Sequence, residues 1–381
     1  MNARVDAIEM TEKRARIIAY YLPQFYPTPE NDKWWGKGFT EWTNVTRATP
    51  LFRGHKQPHL PADLGFYDLR VPEVREAQAA MARSYGVEAF CYWHYWFGGE
   101  RLLERPFKEV LETGKPDFPF CLAWANHTWS TRNWAVGEDM KHETIKEQTY
   151  PGLEDHERHF EWLTKAFHDP RYVRVDGKPL FVLFRPMEIP DIKRVTDHWR
   201  KLATLNGLPG LHLVGEEGPN WKAAAHGFDG VTVCNHDRMR HVRKPTISGK
   251  FWNRGMSNRF TKRLIRLISN RPHHTYRYRD AIPFFLEGAV TSEYYPAVVP
   301  NWDNTPRAST RGIVLTGSSP ELFRKHLREA ICRVQDLPAQ RRLIFLKSWN
   351  EWAEGNYVEP DQEFGHGYLN VIAEESREHA N

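Results

Sequence analysis

The chain has 381 residues, of which 40% are hydrophobic and 27% are charged, a composition typical of a folded globular protein. No run of about 18 apolar residues occurs, which argues against a transmembrane helix. The N-terminal residues MNARVDAIEMTEKRAR lack the apolar stretch of a secretory signal, so we expect a cytoplasmic location. The net charge of +5 is unevenly spread, because residues 237–280 contain thirteen Lys or Arg and only two Asp or Glu.

Segments typical of buried strands alternate with helical segments along the whole chain. The predicted strands are Ile17–Gln24, Val87–Tyr92, Phe118–Ala125, Leu180–Phe184, Leu211–Val214, Gly230–Cys234, Tyr295–Val299 and Leu343–Lys347. The predicted helices include Pro72–Tyr85, Leu102–Thr113, Leu153–Phe167, Asp191–Leu205, Pro320–Val334 and Tyr368–Arg377. Continuous apolar strands are typical of parallel sheets covered on both faces, and eight such units predict a (β/α)8 TIM barrel. We predict one domain over 1–381, with a basic insertion at about 236–285.

Polar and aromatic residues follow the predicted strands, where such barrels build their working face. Tryptophan and tyrosine combine an apolar face with a hydrogen-bonding edge, which suits sugar rings, and the chain has fifteen tryptophans. We therefore predict a carbohydrate-binding face. Its candidate substrate-binding residues are Tyr21, Gln24, Trp35, Glu41, Trp42, Trp93, His94, Trp96, Trp124, Asn126, His127, Trp129, Arg185, Glu216, Asn235, Trp302, Trp349, Asn350 and Trp352. The alternative is a second hydrophobic cluster under long loops.

Glu351 and Glu354 lie three residues apart in SWNEWAEG (348–355), directly after the eighth predicted strand. If the chain makes a helical turn there, both side chains lie on one face and can act as the two carboxylates of glycosidic bond cleavage. Neighbouring tryptophans would desolvate one carboxyl group and raise its pKa, so that it serves as an acid near neutral pH. The alternative is an acidic surface loop whose tryptophans serve only packing.

Metal and cofactor sites are not supported by the motifs of the chain. HxH, HExxH and DxD patterns and the glycine-rich phosphate fingerprints are absent, so we predict no metal and no cofactor. This holds although several ligand-type residues follow the predicted strands, namely His94, His127, Glu216, His236 and Asp237. The four cysteines also lack ligand spacing, and we predict buried, reduced thiols at Cys91, Cys121, Cys234 and Cys332.

The basic insertion contains NRFTKRLIRLISN (258–270), whose apolar residues Phe260, Leu264, Leu267 and Ile268 recur at helical spacing. Such a helix can lie on an anionic membrane surface or contact a lipid-linked glycan, which would place the protein at the inner face of the membrane. The alternative is an insertion packed on the barrel with a solvated basic face. No nucleic-acid-binding module is present, and we predict no nucleic-acid partner.

Six blocks in this order resemble the WbsX-type family, which is similar to glycoside hydrolase family 99, the endo-α-1,2-mannosidases and mannanases. They are YYLPQF (20–25), WWGKGFTEW (34–42), HLPADLGFYDLR (59–70), FCYWHYWF (90–97), WANHTWS (124–130) and SWNEWAEG (348–355). The resemblance runs from about residue 16 to the C-terminus and implies a (β/α)8 barrel. WbsX-type proteins are associated with O-antigen and other surface polysaccharide loci and are often labelled glycosyltransferases.

The family 99 pair of catalytic carboxylates lies in an NEW-x-EG motif, which NEWAEG (350–355) matches. The resemblance implies that Glu354 is the general acid/base and that Glu351 deprotonates the 2-hydroxyl of the sugar. That hydroxyl would attack the anomeric carbon and form a 1,2-anhydro sugar, which water opens with overall retention. The basic insertion at 237–280 is not part of the family 99 pattern.

The sequence is therefore compatible with three functions. The first is a retaining glycoside hydrolase or transglycosylase acting on a bacterial surface polysaccharide or its precursor, with α-mannosides suiting the 2-hydroxyl mechanism. The second is a glycosyltransferase of lipopolysaccharide or O-antigen biosynthesis, which requires a diphosphate site. The third is a non-catalytic carbohydrate-binding barrel. Release of a free or shortened glycan separates the first from the third, and transfer from an activated donor identifies the second.

Overall fold

A computed structural model describes residues 14–131, 143–233, 238–239, 242, 270–286, 288, 291 and 293–376. Parallel strands form a barrel in the order in which they occur in the chain. They are β1 (Arg16–Tyr21), β2 (Ala89–Phe97), β3 (Phe120–Trp124), β4 (Lys178–Leu183), β5 (His212–Glu216), β6 (Gly230–Thr232), β7 (Ala297–Val298) and β8 (Leu343–Leu346). The helices are α1 (Pro29–Trp35), α2 (Glu41–Arg47), α3 (Pro72–Ser84), α4 (Arg105–Thr113), α5 (Leu153–Phe167), α6 (Ile192–Leu205), α7 (Tyr278–Phe285), α8 (Thr305–Ala308), α9 (Pro320–Val334) and α10 (Gly367–Ser376).

Hydrogen bonds around β6 close the barrel. β1 pairs with β2 on one side and with β8 on the other, and β8 pairs with β7. Between β6 and the residues before β7, the Val231 N–H donates to the Glu293 carbonyl at 2.7 Å and the Tyr295 N–H donates to the Val231 carbonyl at 2.9 Å. The predicted (β/α)8 barrel is therefore confirmed. A single 3-10 turn, Ala223–His226, stands in place of a full helix after β5.

Burial explains why these segments fold as predicted. All four residues of β8 are fully buried, since the strand is covered on both faces. α9 buries one apolar stripe, and the Ser319 hydroxyl accepts a hydrogen bond from the Leu322 N–H at its start. This cap together with a proline in the first turn is a typical helix start.

β2 continues further than its sequence predicts. It was expected to end at Tyr92, but it extends to Phe97, because residues Tyr95–Phe97 pair with an antiparallel segment, Glu100–Leu102. The sequence predicts a helix that begins at Leu102. In the structure Leu102 is the last residue of this antiparallel segment, and the helix begins at Arg105. Trp93–Phe97 are therefore strand residues, and their side chains alternate between the two faces of the sheet.

The described end of the basic insertion packs beside the barrel. Residues His274–Arg277 pair in parallel with Ile313–Thr316, and α7 follows directly. Tyr276, Tyr278 and Phe285 bury themselves in a small second core with residues from the loop after β7. The predicted helix at 258–270 lies almost wholly outside the described residues, as does Asn235.

Three further expectations concern a membrane-spanning helix, a metal site and the cysteines. In the part of the chain that the structure describes, no helix is long and apolar enough to cross a membrane. Within the same residues, no group of three or more His, Cys, Asp or Glu side chains is arranged to hold a metal ion. Cys91 and Cys121 are buried free thiols, whereas Cys332 is exposed, so its predicted burial was wrong; Cys234 lies outside the described residues. Cys332 lies on α9 outside the buried stripe of that helix.

Candidate active site

A cavity of about 800 Å³ opens at the carboxyl ends of the barrel strands. Both Glu351 and Glu354 line it. Its aromatic walls are Trp34, Trp35, Trp93, Tyr95, Trp129, Phe184 and Trp302. Its other polar lining includes Gln24, Glu30, Asn31, Lys33, Glu100, His127, Thr128, Ser130, Lys146, Arg185, His274, Asn304, Arg307, Arg311 and Lys347. The volume is near the upper end of the range for small-molecule sites.

A short hairpin after β8 carries the two glutamates. Asn350–Glu351 pairs with Asn356–Tyr357, and the connecting residues Trp352–Glu354 form a 3-10 turn. Side chains three apart nearly eclipse each other in such a turn. Gly355 ends it with a φ of +58°, which favours glycine. Glu351 directly precedes this turn and Glu354 ends it, and the two carboxyl groups are hydrogen-bonded to each other, as the carboxylate-pair hypothesis requires.

Buried hydrogen bonds fix this hairpin to the barrel. The Asn350 side chain accepts from the Leu22 N–H at 2.7 Å and donates to the Leu22 carbonyl at 3.1 Å, which ties the hairpin to the exit of β1. Trp352 stacks on Tyr357 and donates to Glu359 at 2.7 Å. These contacts involve fully or nearly fully buried side chains, so the position of the two glutamates is set by the core.

Glu354 is held in its protonated form near neutral pH. Burial raises the pKa of its carboxyl group to about 8, the Arg307 guanidinium counteracts this, and Glu351 adds to the rise through its charge and a side-chain hydrogen bond. Two adjacent carboxyl groups cannot both ionise at low cost, which favours the protonated form of Glu354. A protonated carboxyl group in a cavity is the form that a general acid requires.

Glu351 meets a different environment. The Trp93 indole N–H donates to Glu351 Oε1 at 2.8 Å, and Glu351 is 7% exposed. An N–H donor stabilises a carboxylate oxygen and fixes its direction. The two glutamates thus differ in their partners, which is the arrangement needed for two carboxyl groups with different roles.

Arg307 on α8 connects Glu354 to a third glutamate. Arg307 Nη1 lies 2.5 Å from Glu354 Oε1, and its Nε and Nη2 each lie 3.1 Å from Glu41 Oε2. Glu41, the first residue of α2, is completely buried. The Arg307 charge therefore serves two carboxyl groups at once, and it is the main cation beside the pair.

The cavity lining also contains an imidazole and cations that lie over aromatic rings. His127 packs against Phe184, and burial together with Arg185 lowers the pKa of its imidazole to about 4, so the ring is neutral near pH 7. Arg185 lies over the Phe184 ring at 4.7 Å, and Lys347, which also lines the cavity, is salt-bridged to Glu216 at 2.7 Å. Neutral imidazole and guanidinium groups are both suited to hydrogen bonds with sugar hydroxyls.

The sequence-predicted residues fall into two groups. Those that line the cavity are Gln24, Trp35, Trp93, His127, Trp129, Arg185, Trp302, Glu351 and Glu354. Those buried outside its lining are Tyr21, Glu41, Trp42, His94, Trp96, Trp124, Asn126, Glu216, Trp349, Asn350 and Trp352. Asn235 lies outside the described residues.

Strand alternation explains why two members of the second group, His94 and Trp96, lie outside the cavity. Trp93 and Tyr95 of β2 point into the cavity, whereas the intervening His94 points away and bonds His159 of α5 at 2.9 Å. Trp96 bonds Asp155 of the same helix at 3.0 Å. If the sequence had predicted that β2 continues to Phe97, the alternation of side chains along the strand would have selected Tyr95 as a cavity residue, and not His94 or Trp96.

The remaining buried residues have structural partners. Asn126 links two loops, donating to the Arg185 carbonyl at 2.8 Å and accepting from the Arg185 N–H at 2.8 Å. Trp42 donates to the Tyr67 carbonyl, and Tyr21 donates to Gln78. Arg307 is the main residue that the sequence did not suggest. Its only signal was its place in NWDNTPR (301–307), on the loop after β7.

Comparison with known proteins places the chain in a family. The family described as Glycosyltransferase WbsX matches residues 17–372. The chain belongs to the WbsX family. Two curated relatives of this WbsX member, both called uncharacterized protein WxcX, come from Xanthomonas campestris pv. campestris and are 36% and 37% identical over 369 residues. The match covers 94% of this chain, which spans about half the length of those relatives (49%).

Solved structures share the fold of this WbsX family member. A glycoside hydrolase-like protein superposes with a TM-score of 0.56 at 14% identity, covering 100% of this chain and 98% of the other. A GH99 endo-α-mannosidase from Bacteroides thetaiotaomicron gives a TM-score of 0.52 at 13% identity, covering 94% and 96%. The resemblance to the WbsX family is therefore confirmed, and the resemblance to family 99 is confirmed at the level of the fold.

Proposed function

We propose that this protein is a retaining glycoside hydrolase or transglycosylase that uses Glu354 as acid/base and Glu351 as the second carboxylate. The observation that carries the proposal is the hydrogen-bonded pair in a tryptophan-walled cavity, with the pKa of the Glu354 carboxyl raised to about 8. A proton donor beside a second carboxyl group is what cleavage of a glycosidic bond requires. The pair of roles follows the family 99 resemblance of NEWAEG (350–355).

The proposed reaction has two steps. Glu351 takes the proton of the sugar 2-hydroxyl, O2 attacks the anomeric carbon, and the bond to the leaving oxygen breaks as Glu354 gives that oxygen its proton. The products are a 1,2-anhydro sugar and a shortened glycan. Water, or an acceptor hydroxyl, then adds to the anomeric carbon; its proton goes to Glu354, and O2 recovers a proton from Glu351. Two inversions give net retention.

The proposed substrate is a bacterial surface polysaccharide, such as an O-antigen or capsule glycan, with an α-mannoside-like configuration at the bond that is cleaved. The aromatic walls support a glycan, because Trp35, Trp93 and Trp129 offer apolar faces and N–H donors to sugar rings. A 2-hydroxyl trans to the leaving group is required for O2 to attack from the opposite side. The surface polysaccharide is suggested by the resemblance to WbsX-type proteins, and the named mannosidase neighbour supports the configuration.

A second candidate function is sugar transfer from a diphosphate-activated donor. The family description as glycosyltransferases supports it, and so do the cationic residues Lys33, Arg185 and Arg311 in the cavity lining. A transferase needs a cationic site for the departing diphosphate, whereas a hydrolase of neutral glycans does not. The two candidates differ in their donor and share the same cavity.

The test is digestion of a panel of bacterial O-antigen, capsule and α-1,2-mannan oligosaccharides by wild type, Glu351→Gln and Glu354→Gln. Glutamine keeps the shape of glutamate, so both variants should fold. Glu188→Gln is the control, because Glu188 is exposed on the loop after β4 and lies outside the cavity. We expect cleavage by wild type and the control, a loss of more than about a hundredfold in each cavity variant, and retention of configuration by NMR.

Other outcomes would favour the alternatives. Equal cleavage by all four proteins would contradict the carboxylate mechanism. Sugar transfer from a nucleotide- or lipid-diphosphate donor, without cleavage of any glycan, would favour the transferase. Glycan binding by every form, with neither cleavage nor transfer, would favour a carbohydrate-binding barrel.

A further inference from the structure

Three loops meet at Arg307. α2 follows β1 and contributes Glu41, α8 follows β7 and contributes Arg307, and the hairpin after β8 contributes Glu354. Because Glu41 is completely buried, its carboxylate requires a cation, and Arg307 supplies it through two N–H groups on one oxygen at 3.1 Å. The remaining arm of the same guanidinium contacts Glu354 at 2.5 Å. Arg307 is thus fixed at one end and presents the other to the proposed acid/base.

The surrounding contacts leave this arrangement little freedom. The Asp303 N–H donates to the Glu354 carbonyl at 2.7 Å, and a side chain added at Gly355 would come within 2.9 Å of the Asp303 nitrogen. Asp303 in turn accepts hydrogen bonds from Gln57 and Thr305 and lies 2.7 Å from His55. The loop that carries Arg307 is therefore packed tightly against the hairpin that carries Glu354.

We propose that Arg307, held in place by Glu41, is a positioning residue that orients the Glu354 carboxyl group and balances its protonated and ionised forms. The inference rests on the proposed function, since it takes Glu354 as the acid/base. Arg307 touches the acid/base group and is not assigned a contact with the substrate. Neither the WbsX family description nor the fold assigns this role to Glu41 or Arg307.

The charges around Glu354 explain why the balance needs both residues. Glu351 faces it from the same hairpin, Arg307 from α8, Glu41 from α2 and Tyr95 from β2. Glu351 and Glu41 each favour the protonated form of Glu354, and Arg307 favours the ionised form. A general acid must lose its proton and then regain it within one reaction cycle, so neither form can be too stable. Without the opposing charges of Glu351 and Glu41, Arg307 would keep Glu354 ionised. Without Arg307, burial and Glu351 would keep Glu354 protonated.

Two substitutions should move the titration of Glu354 in opposite directions. Arg307→Gln removes the cation, so we expect the basic limb of the kcat/KM profile to rise by about one pH unit or more. Glu41→Gln leaves the Arg307 charge unopposed, so we expect the same limb to fall. Arg307→Lys keeps a positive charge but cannot reach both carboxyl groups with one fork. The basic limb of its kcat/KM profile should lie near that of wild type, while kcat should fall about tenfold because the Glu354 carboxyl group is less well oriented. This combination distinguishes the orienting role of Arg307 from the effect of its charge.

A direct titration makes the test independent of any substrate. The infrared carboxyl band that disappears in Glu354→Gln identifies Glu354, and its pH midpoint is then compared in wild type, Arg307→Gln, Glu41→Gln and Arg307→Lys. Arg171→Gln is the matched control. Its guanidinium is about as buried as that of Arg307 (10% against 15% exposed) and pairs with Asp169 near the start of β3, at the opposite end of the barrel. It should leave the midpoint unchanged.

The outcomes separate this inference from the proposed function. Opposite shifts of the midpoint in Arg307→Gln and Glu41→Gln support the inference, and they do so even if no glycan is cleaved. Shifts in the same direction, or no shift in folded variants, overturn it. If Arg307→Gln does not fold, a wild-type midpoint in folded Glu41→Gln, or an unreduced kcat in Arg307→Lys, would overturn the positioning role.

Discussion

Replacing Glu354 by glutamine should change how the stability of the protein depends on pH. The pKa of its carboxyl group is about 8 in the folded protein and 4.5 in an exposed glutamate. Between those two pH values the folded chain binds more protons than the unfolded chain, so the free energy of unfolding decreases as pH rises. This contribution is fully present below pH 4.5 and is lost by the time the pH passes about 8.

The size of the effect follows from the same two values. Each pH unit of difference between the folded and unfolded pKa corresponds to about 1.4 kcal/mol, so the full change is at most about 5 kcal/mol. The Glu354 side chain is 18% exposed, so solvent partly screens its charge and the change is smaller than this upper limit. The Glu354 carboxyl group is hydrogen-bonded to Glu351, so the measured curve reflects the interaction between the two side chains.

The assay is urea unfolding of wild type and Glu354→Gln at intervals between pH 4.5 and 9. The free energy of unfolding of wild type minus that of the variant should fall by several kcal/mol across this range. Glu188→Gln, which alters an exposed carboxyl group, should give a difference that barely depends on pH. A flat difference for Glu354→Gln, or one that rises with pH, would refute the assignment of a protonated Glu354.

Three other substitutions test separate parts of the site. Trp93→Phe removes the N–H that donates to Glu351 at 2.8 Å, and we expect kcat/KM to fall about 10- to 100-fold while the fold is retained; an unchanged kcat/KM would contradict the role of this hydrogen bond. Trp129→Ala removes part of an aromatic wall, so KM should rise about tenfold with a smaller change in kcat; the reverse pattern would place Trp129 in the chemical step. Gly355→Ala forces a side chain at a φ of +58° to within 2.9 Å of the Asp303 nitrogen, and we expect a loss of about 1–3 kcal/mol in thermal unfolding together with lower activity; wild-type stability and activity would show that the turn adapts.

The fold could be predicted because its signals are local. Continuous apolar runs such as Leu343–Leu346 and the capped helix that begins at Pro320 carry their structure in short windows of sequence. The position of the carboxylate pair was also predictable, since the end of an apolar strand and the three-residue spacing of Glu351 and Glu354 are both visible in the sequence. The turn that brings the two together was a condition of the hypothesis, and the structure supplies it.

The walls of the cavity were harder to predict, because they depend on where strands end and on contacts between distant residues. The extra length of β2 decides that Trp93 and Tyr95 face the cavity while His94 faces α5. The partnership of Glu41 with Arg307 joins residues 266 positions apart, and nothing in either local sequence reveals it. Such pairings are set by how the loops pack across the end of the barrel.

The measurement that tests the central claim most directly compares two donors carrying the same sugar. One is a glycan that the protein cleaves, and the other is the corresponding glycosyl fluoride, whose leaving group needs little help from an acid. If Glu354 is the acid and Glu351 the base for the 2-hydroxyl, Glu354→Gln should lose glycan cleavage by more than about a hundredfold yet release fluoride nearly as fast as wild type. Glu351→Gln should lose both reactions. Equal loss on both donors in Glu354→Gln, or fluoride release by Glu351→Gln at the wild-type rate, would contradict the account.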